Sequence, residues 1–288
     1  MIVAGALVTS HDAGLSVPDW PTSFGSLYKI PPMVGGVQYE HTHRMIAELT
    51  GLAIIVMAVW TQRVEKRRWI RILGWTALAA VVGQGILGGL TVLDLLPWTI
   101  STAHATLAQM IFCIVIAMAL FTSRSWLQDE PPIPERDLAP GTPTLAALAA
   151  ACVWVQLILG AAFRHSGIKL LPHLVGACVV TAVLCWMIVR LLTRYGNVPH
   201  LRKPAQLLLA LLMVQLGLGF ASYLTRLQWR IDPPQPLTGI VITTVSHVAG
   251  GALVLATCVV LAIQTRRMIN VHAEEAALHT APRKAIPA

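Results

Sequence analysis

The chain has 288 residues, of which 56% are hydrophobic and only 12% are charged, and its mean hydropathy is positive. A soluble domain of this length does not need so much apolar sequence, so the composition excludes an ordinary soluble protein and favours one that crosses a membrane several times. The formal net charge of +8 could suggest a nucleic-acid-binding protein, but the placement of the charges argues against that class.

Seven apolar segments are each long enough to cross the roughly 30 Å hydrocarbon core of a bilayer as a helix. In chain order they lie near residues 44–62, 72–93, 100–122, 144–163, 171–192, 205–225 and 240–264. The first residues, Met1–Val8, are also apolar but are too short to span. They are expected to form the outer end of an eighth, largely truncated helix, which would make Met1 an internal start.

The basic residues are concentrated on alternate connections between these segments. Fifteen of the 21 lie there: Arg63, Lys66, Arg67, Arg68, Arg71, Arg124, Arg136, Arg190, Arg194, Arg202, Lys203, Arg266, Arg267, Arg283 and Lys284. This is the positive-inside pattern, which predicts that these connections face the cytoplasm of a bacterial cell. The chain is therefore expected to be a multi-pass protein of the inner membrane, in contact with membrane lipid and not with nucleic acid.

Four histidines open four of the apolar segments, and each lies 19 to 21 residues before an arginine of a basic connection. They are His43, His104, His173 and His247. This distance is about one membrane thickness, so the four imidazoles are expected at one depth near the outer face. Any one alone would more often be a core histidine, but the set predicts two bis-histidine haem sites, His43 with His104 and His173 with His247. Zinc is disfavoured because it needs three or four protein ligands.

The segments repeat a pattern, Gln-x-x-Leu-Gly, one outer loop before a histidine. It occurs at residues 84–88, 156–160 and 215–219, and Gly5–Val8 is a candidate remnant of a fourth copy. Small residues at these positions let helices approach closely. Four such units predict an all-α polytopic membrane protein of two pseudo-symmetric four-helix bundles.

The predicted division of the chain follows these units. Residues 1–128 are expected to form the N-terminal bundle and residues 144–267 the C-terminal bundle. An acidic, proline-rich cytoplasmic linker, 129–143, would join them, and residues 268–288 would form a cytoplasmic tail. The long outer loop from Thr9 to Tyr39 contains aromatic residues that favour an ordered lid at the membrane surface.

The densest polar cluster is Glu-His-Thr-His-Arg at residues 40–44. Glu40 precedes His43 by three residues and Arg44 by four, so the three side chains share one side of a helix. A carboxylate beside an iron-ligating histidine could accept a proton or stabilise positive charge on a substrate. Arg44 could pair with Glu40, Glu48 or a haem propionate. The alternative is an interfacial salt-bridge cluster, although ionisable groups at membrane depth are costly and usually functional.

Other basic side chains near the outer ends are candidates either for propionate contacts or for a solvated rim. They are Arg164, Lys169, Arg226 and Arg230.

The residues 14–21, Gly-Leu-Ser-Val-Pro-Asp-Trp-Pro, followed by Tyr-Glu-His-Thr-His-Arg at 39–44 and by the three later histidines, resemble the haem A synthase family of cytochrome oxidase assembly proteins. The resemblance covers essentially the whole chain. It implies eight helices in two bundles, the N-terminal one holding haem O as substrate and the C-terminal one holding haem B as cofactor. The implied reaction converts the C8 methyl group of haem O to a formyl group by successive hydroxylations, an oxidation at a CH or CH2 group.

Carried over by position, the family roles fall on the same residues. His43 and His104 would flank the substrate iron, and His173 and His247 would ligate haem B. Glu40 would stabilise a carbocation-like intermediate or help to activate water. Asp19, Trp20 and Arg44 would support the motif or the propionates.

The resemblance also implies partners, and the chain departs from the family pattern at one feature. A haem O synthase, cytochrome oxidase assembly factors and a homo-oligomer are the expected partners. Many family members carry a cysteine pair in the first outer loop, whereas residues 9–39 contain no cysteine, so a thiol-based relay is not supported for this chain.

Two other functions explain the paired histidines. A bis-histidine membrane cytochrome would move electrons between two haems, but it has no use for Glu40 beside a ligand or for the long outer loop. A haem carrier or assembly factor would need weak, exchangeable ligation.

Overall fold

The computed structural model describes residues 1–128, 131–135, 138–228 and 237–270, with the side chains of 226–228 excepted. Within these ranges the chain forms helices and two very short strands. The helices are α1 (Ile2–Ser10), α2 (Gly36–Val64), α3 (Arg68–Leu93), α4 (Trp98–Phe121), α5 (Arg124–Leu127), α6 (Thr142–Arg164), α7 (Leu170–Arg194), α8 (Pro199–Gln228) and α9 (Thr238–Met268). The strands are β1 (Ile133–Pro134) and β2 (Ile269–Asn270).

Seven of the described helices, α2, α3, α4, α6, α7, α8 and α9, are long and apolar enough to cross a membrane. The prediction of seven spans in an all-α polytopic membrane protein is therefore confirmed. Large apolar side chains on these helices are exposed at the surface of the protein, for example Ile55, Val179 and Met213. Lipid rather than water suits such a surface, and helices satisfy their own backbone hydrogen bonds inside a bilayer.

The helices pack into two closed rings of four. Helix α2 contacts α1 and α3, and α4 contacts α3 and α1. In the second ring α6 contacts α7 and α9, and α8 contacts the same two helices. Contacts of α9 with α1 and α4, and of α4 with α6, join the rings. This arrangement is the one that four sequence repeats predict.

The short helix α1, a member of the first ring, packs against the second ring. Ala6 is buried against Val241 and Val245 of α9. At the end of α6, Arg164 donates from Nη2 to the Ala6 carbonyl at 2.8 Å and to the Ser10 hydroxyl at 2.7 Å. The apolar residues at positions 2–8 are therefore helical, as predicted, and are fixed to the C-terminal ring by packing and by an arginine.

The connection between the rings is partly ordered by pairing with the chain that follows α9. Strand β1 lies parallel to β2. Beside it the carboxylate of Glu135 is buried and accepts hydrogen bonds from the Thr142 amide at 2.7 Å and the Tyr195 hydroxyl at 2.6 Å. Burial and this bond to Glu135 raise the pKa of Tyr195 to about 12. The acidic linker thus contributes a buried carboxylate, while most of the predicted tail lies outside the described residues.

Candidate functional site

The four predicted ligands lie near the same ends of α2, α4, α7 and α9, and all four are partly buried. In the second ring the imidazoles of His173 and His247 have centroids 6.3 Å apart and planes at 84°. Two imidazole nitrogens that ligate one metal ion from opposite sides, at roughly 2.0–2.1 Å each, place the ring centroids about 6 Å apart. The spacing of this pair therefore fits an ion held between two axial imidazoles, as in haem.

In the first ring His43 and His104 lie on α2 and α4, which both pack against α1 and α3. The Nδ1 atoms of His43 and of His247 are buried without a hydrogen-bond partner. No group of three or more His, Cys, Asp or Glu side chains that could hold a metal ion occurs in the described part of the chain. Among those residues the histidine pairs are thus the candidates for a metal centre.

A glycine on the preceding helix lies against each of these imidazoles. A Cβ atom added at the glycine would lie 3.0 to 3.3 Å from the Cε1 atom of the ring. The pairs are Gly5 with His43, Gly88 with His104, Gly160 with His173 and Gly219 with His247. Three of these glycines end the Gln-x-x-Leu-Gly repeats. Gly5 contacts His43 as the last glycine of a fourth copy would. The sequence predicts close helix packing here, but it does not show that the contacted group is the histidine ring.

The glutamine of each repeat holds the backbone of the next histidine. Its Nε2 donates to the histidine carbonyl at 2.8 to 3.1 Å in the pairs Gln84 with His104, Gln156 with His173 and Gln215 with His247. The same amide nitrogen lies 3.1 to 3.5 Å from a ring nitrogen of that histidine. The residue four positions before Gly5 is Met1, the first of the sequence.

Glu40 and Arg44 bind the outer loop to the start of α2. Glu40 is only 3% exposed, and its carboxylate accepts from the Val17 amide at 2.8 Å and from Arg44 Nη2 at 2.6 Å. Arg44 also donates to the carbonyls of Asp19 at 2.7 Å, Thr22 at 2.9 Å and Val17 at 3.0 Å. The predicted pairing of Arg44 with Glu40 is observed, and both side chains anchor the loop. A catalytic role for Glu40 and a propionate contact for Arg44 stay predictions.

Asp19 organises the tip of this loop. Its carboxylate accepts from the amides of Phe24 at 2.7 Å and Gly25 at 2.8 Å, and from the Thr22 hydroxyl. Slight burial opposes ionisation, but these hydrogen bonds outweigh it and lower the pKa of Asp19 to about 2. The carboxylate is therefore ionised at neutral pH and can accept all three bonds.

The next residue, Trp20, packs onto α3. A Cβ atom at Gly89 would lie 2.5 Å from the indole ring, so only glycine allows this approach. The loop between α1 and α2 is thus folded over the start of α2 and the end of α3.

The remaining outer polar residues have other contacts. His11 stacks on Tyr39 with ring centroids 3.7 Å apart, and His41 Nδ1 lies 3.2 Å from the Ser23 hydroxyl. Burial and the charge of Arg164 lower the pKa of His165 to about 4, so this imidazole is neutral. Lys169 is exposed, while Arg230 and the side chain of Arg226 lie outside the described residues.

Two rings of four helices with a histidine pair in each define a multi-pass membrane protein with two candidate bis-histidine centres. The COX15-CtaA family model, described as cytochrome oxidase assembly protein, matches residues 37–171. Three similar curated proteins are all named "Heme A synthase". The protein from Symbiobacterium thermophilum is 27% identical over 261 residues, which is 78% of this chain and 84% of that protein.

The relative from Lysinibacillus sphaericus is 34% identical over 96 residues, 32% of this chain and 31% of that protein. The relative from Dinoroseobacter shibae is 32% identical over 129 residues, 40% of this chain and 32% of that protein. No solved structure matches. The motif at residues 39–44 lies inside the region that the family model matches, and over most of its length the chain is similar to a protein named "Heme A synthase".

Proposed function

We propose that this protein is a haem A synthase, an enzyme that oxidises the C8 methyl group of haem O to a formyl group by successive hydroxylations. The observation that carries the proposal is the repeated placement of a histidine pair in each ring of a chain similar to proteins named for this activity. The product is haem A, which cytochrome oxidase requires.

The two rings have different roles in this proposal. The first ring, residues 1–128, would hold the substrate haem O between His43 and His104. The second, residues 144–267, would hold haem B between His173 and His247. Bound haem would supply the redox chemistry, and the chain's own residues supply position and electrostatics.

Glu40 would act on charge that develops in the substrate. Its carboxylate is buried, lies one helical turn before His43 and is fixed by Arg44 and the Val17 amide. A fixed negative group in a site of low dielectric constant stabilises developing positive charge without reorganising during the reaction. The anchored loop would also exclude water from this end of the site.

In this proposal the histidines lie near the periplasmic face of a bacterial inner membrane, because the basic connections are at the other ends of the helices and face the cytoplasm. Haem O must come from an enzyme that adds its farnesyl side chain, so a haem O synthase is the expected supplier. Assembly factors of cytochrome oxidase would take the product.

A membrane cytochrome is the second candidate, because the 6.3 Å pair of rings would serve electron transfer equally well. Complementation separates the two functions. In a bacterial strain that lacks its own haem A synthase, this chain should restore the haem A absorption band of cytochrome oxidase. His104→Ala should not restore it, whereas His41→Ala, which changes a histidine bonded to Ser23, should. An oxidase that stays without haem A in the presence of the membrane-inserted wild-type chain would refute the proposal.

A further inference from the structure

The glycines that touch the four imidazoles are not interchangeable with other glycines of the same helices. At Gly88 and Gly219 an added Cβ atom would lie 3.0 Å from the ring of His104 or His247. At Gly85, three residues before Gly88, and at Gly217, two residues before Gly219, it would meet no atom within 4 Å. The contact therefore belongs to particular positions and is not a general property of glycine-rich helix ends.

We propose that Gly5, Gly88, Gly160 and Gly219 are positioning residues that set the rotation of the ligand imidazoles. A methyl group at any of them would push the ring away from the orientation in which its nitrogen points at the iron. This inference rests on the proposed function, because it takes the four histidines as haem ligands. It adds to that function the element that fixes how each ligand is presented.

The distances show how one methyl group would act on the imidazole. A separation of 3.0 Å between two carbon atoms is well inside their optimal separation of about 3.5–4.0 Å. Such a contact at Gly160 or Gly219 requires the imidazole to shift by a few tenths of an ångström. The added methyl group would be attached to the backbone of the glycine's helix, which cannot move aside as a flexible side chain could.

The histidine backbone is also restrained, so the ring itself must turn. The amide of Gln156 holds the His173 carbonyl at 2.8 Å, and the amide of Gln215 holds the His247 carbonyl at 3.0 Å. Each of these helices is therefore fixed at the residue that the methyl group would push. Groups around a metal ligand that orient its ring typically change metal affinity by about 10- to 100-fold when they are altered.

The same contact makes α1 part of the first site. Gly5 lies in α1, and an added Cβ atom there would lie 3.3 Å from His43 Cε1. The short helix is itself fixed by Arg164 of α6. The position of the His43 imidazole therefore depends on α1, which Arg164 of the second helix ring holds in place.

The test uses the full chain, purified in detergent after expression with haem, in four glycine-to-alanine variants. Gly160→Ala and Gly219→Ala should lower haem B retention by about 10-fold, or shift the largest g-value of the low-spin ferric signal. That g-value depends on the angle between the two axial ring planes. Gly85→Ala and Gly217→Ala are the matched controls and should retain haem and signal as the wild type does.

The outcomes separate this inference from the proposed function. A wild-type protein without haem would refute the proposed function. Haem in the wild type, with the same retention and g-values in all four variants, would refute the inference alone.

A double-mutant comparison covers the case in which Gly160→Ala loses haem because its helices pack less well. The thermal midpoint should fall for Gly160→Ala in the wild-type chain and stay unchanged for Gly160→Ala in a His173→Ala chain, because the ring that the methyl group meets is then gone. An equal fall in both chains would show that Gly160 serves helix packing and would overturn the proposal.

Discussion

His173 and His247 face each other across the second ring of helices with ring centroids 6.3 Å apart and planes at 84°. The pair comes from α7 and α9, which do not follow one another in the chain. A glycine of the preceding helix packs against each imidazole, and a glutamine of that helix donates a hydrogen bond to the backbone carbonyl of the histidine. This constellation is the strongest structural support for a resident haem.

Removal of either histidine of this pair should remove the cofactor haem. We expect His173→Ala and His247→Ala to lose the low-spin haem B spectrum, because one axial ligand does not keep the iron low-spin. Haem O should still bind between His43 and His104, which lie in the other ring. Absorption and electron paramagnetic resonance of the purified variants measure both effects. The control is His200→Ala, at the start of α8 and so at the end of that helix far from Gly219 and the histidine pair. Unchanged low-spin spectra in both site variants would refute the assignment.

Glu40→Ala should keep haem binding and lose product formation. The buried carboxylate supplies the negative charge proposed to act on the substrate, and loss of one preorganised electrostatic group typically costs about 10²–10³-fold in rate. Haem content and haem A yield are measured in the same membranes. Glu48→Ala, an exposed glutamate two turns further along α2, is the matched control. Normal haem A yield from Glu40→Ala would exclude the catalytic role and leave Glu40 as a loop anchor.

The repeat glutamines should stabilise the helices that carry the ligands. Gln156→Leu removes the 2.8 Å bond to the His173 carbonyl, and the expected loss is about 1 kcal/mol of unfolding free energy for one hydrogen bond. Denaturant titration of the detergent-solubilised protein measures it. Gln206→Leu, at an exposed position of α8, should cost nothing. Equal stability of the two variants would contradict a role for the repeat glutamine.

The outer loop should depend on pH through Asp19. Hydrogen bonds from Thr22, Gly25 and Phe24 overcome slight burial and lower the pKa of Asp19 from 3.8 to about 2. A carboxylate with a lowered folded-state pKa contributes stability that is present above pH 4 and is lost as the pH falls through about 2. Hydrogen exchange at the Phe24 and Gly25 amides should be slower in the wild type than in Asp19→Ala at pH 7, and the difference should disappear near pH 2. The same exchange rates at pH 7 would contradict this account of the loop.

The spans could be predicted because apolar length and charge placement are properties of the sequence itself. The boundaries were less accurate: α2 begins at Gly36 rather than near residue 44, since hydropathy marks the part of a helix that lies in lipid and not its polar first turns. The positions of the histidines followed from their constant distance to the basic connections. Their ring-to-ring geometry did not, because it depends on the packing of helices that are far apart in the chain.

The contacts that hold the loop and the linker were not predictable. Arg44 binds backbone carbonyls 22 to 27 residues earlier in the chain, and a backbone carbonyl carries no residue-specific signal. Glu135 belongs to an acidic, proline-rich stretch that indicates a solvated linker, yet Thr142 and Tyr195 bury it. A two-residue strand such as β1 has no periodicity from which to predict it. The glycine contacts with the imidazoles could not be read from spacing either, because the offset from the glycine to the next histidine varies from 13 to 38 residues.

Mass analysis of the haem extracted from cells that make this chain together with a haem O-forming enzyme tests the central claim most directly. The account predicts haem A, or its alcohol intermediate, with the wild-type chain and neither product with His43→Ala. Haem B and haem O alone, in cells where the wild-type protein is inserted and carries haem, would contradict the synthase and favour a membrane cytochrome or a haem carrier.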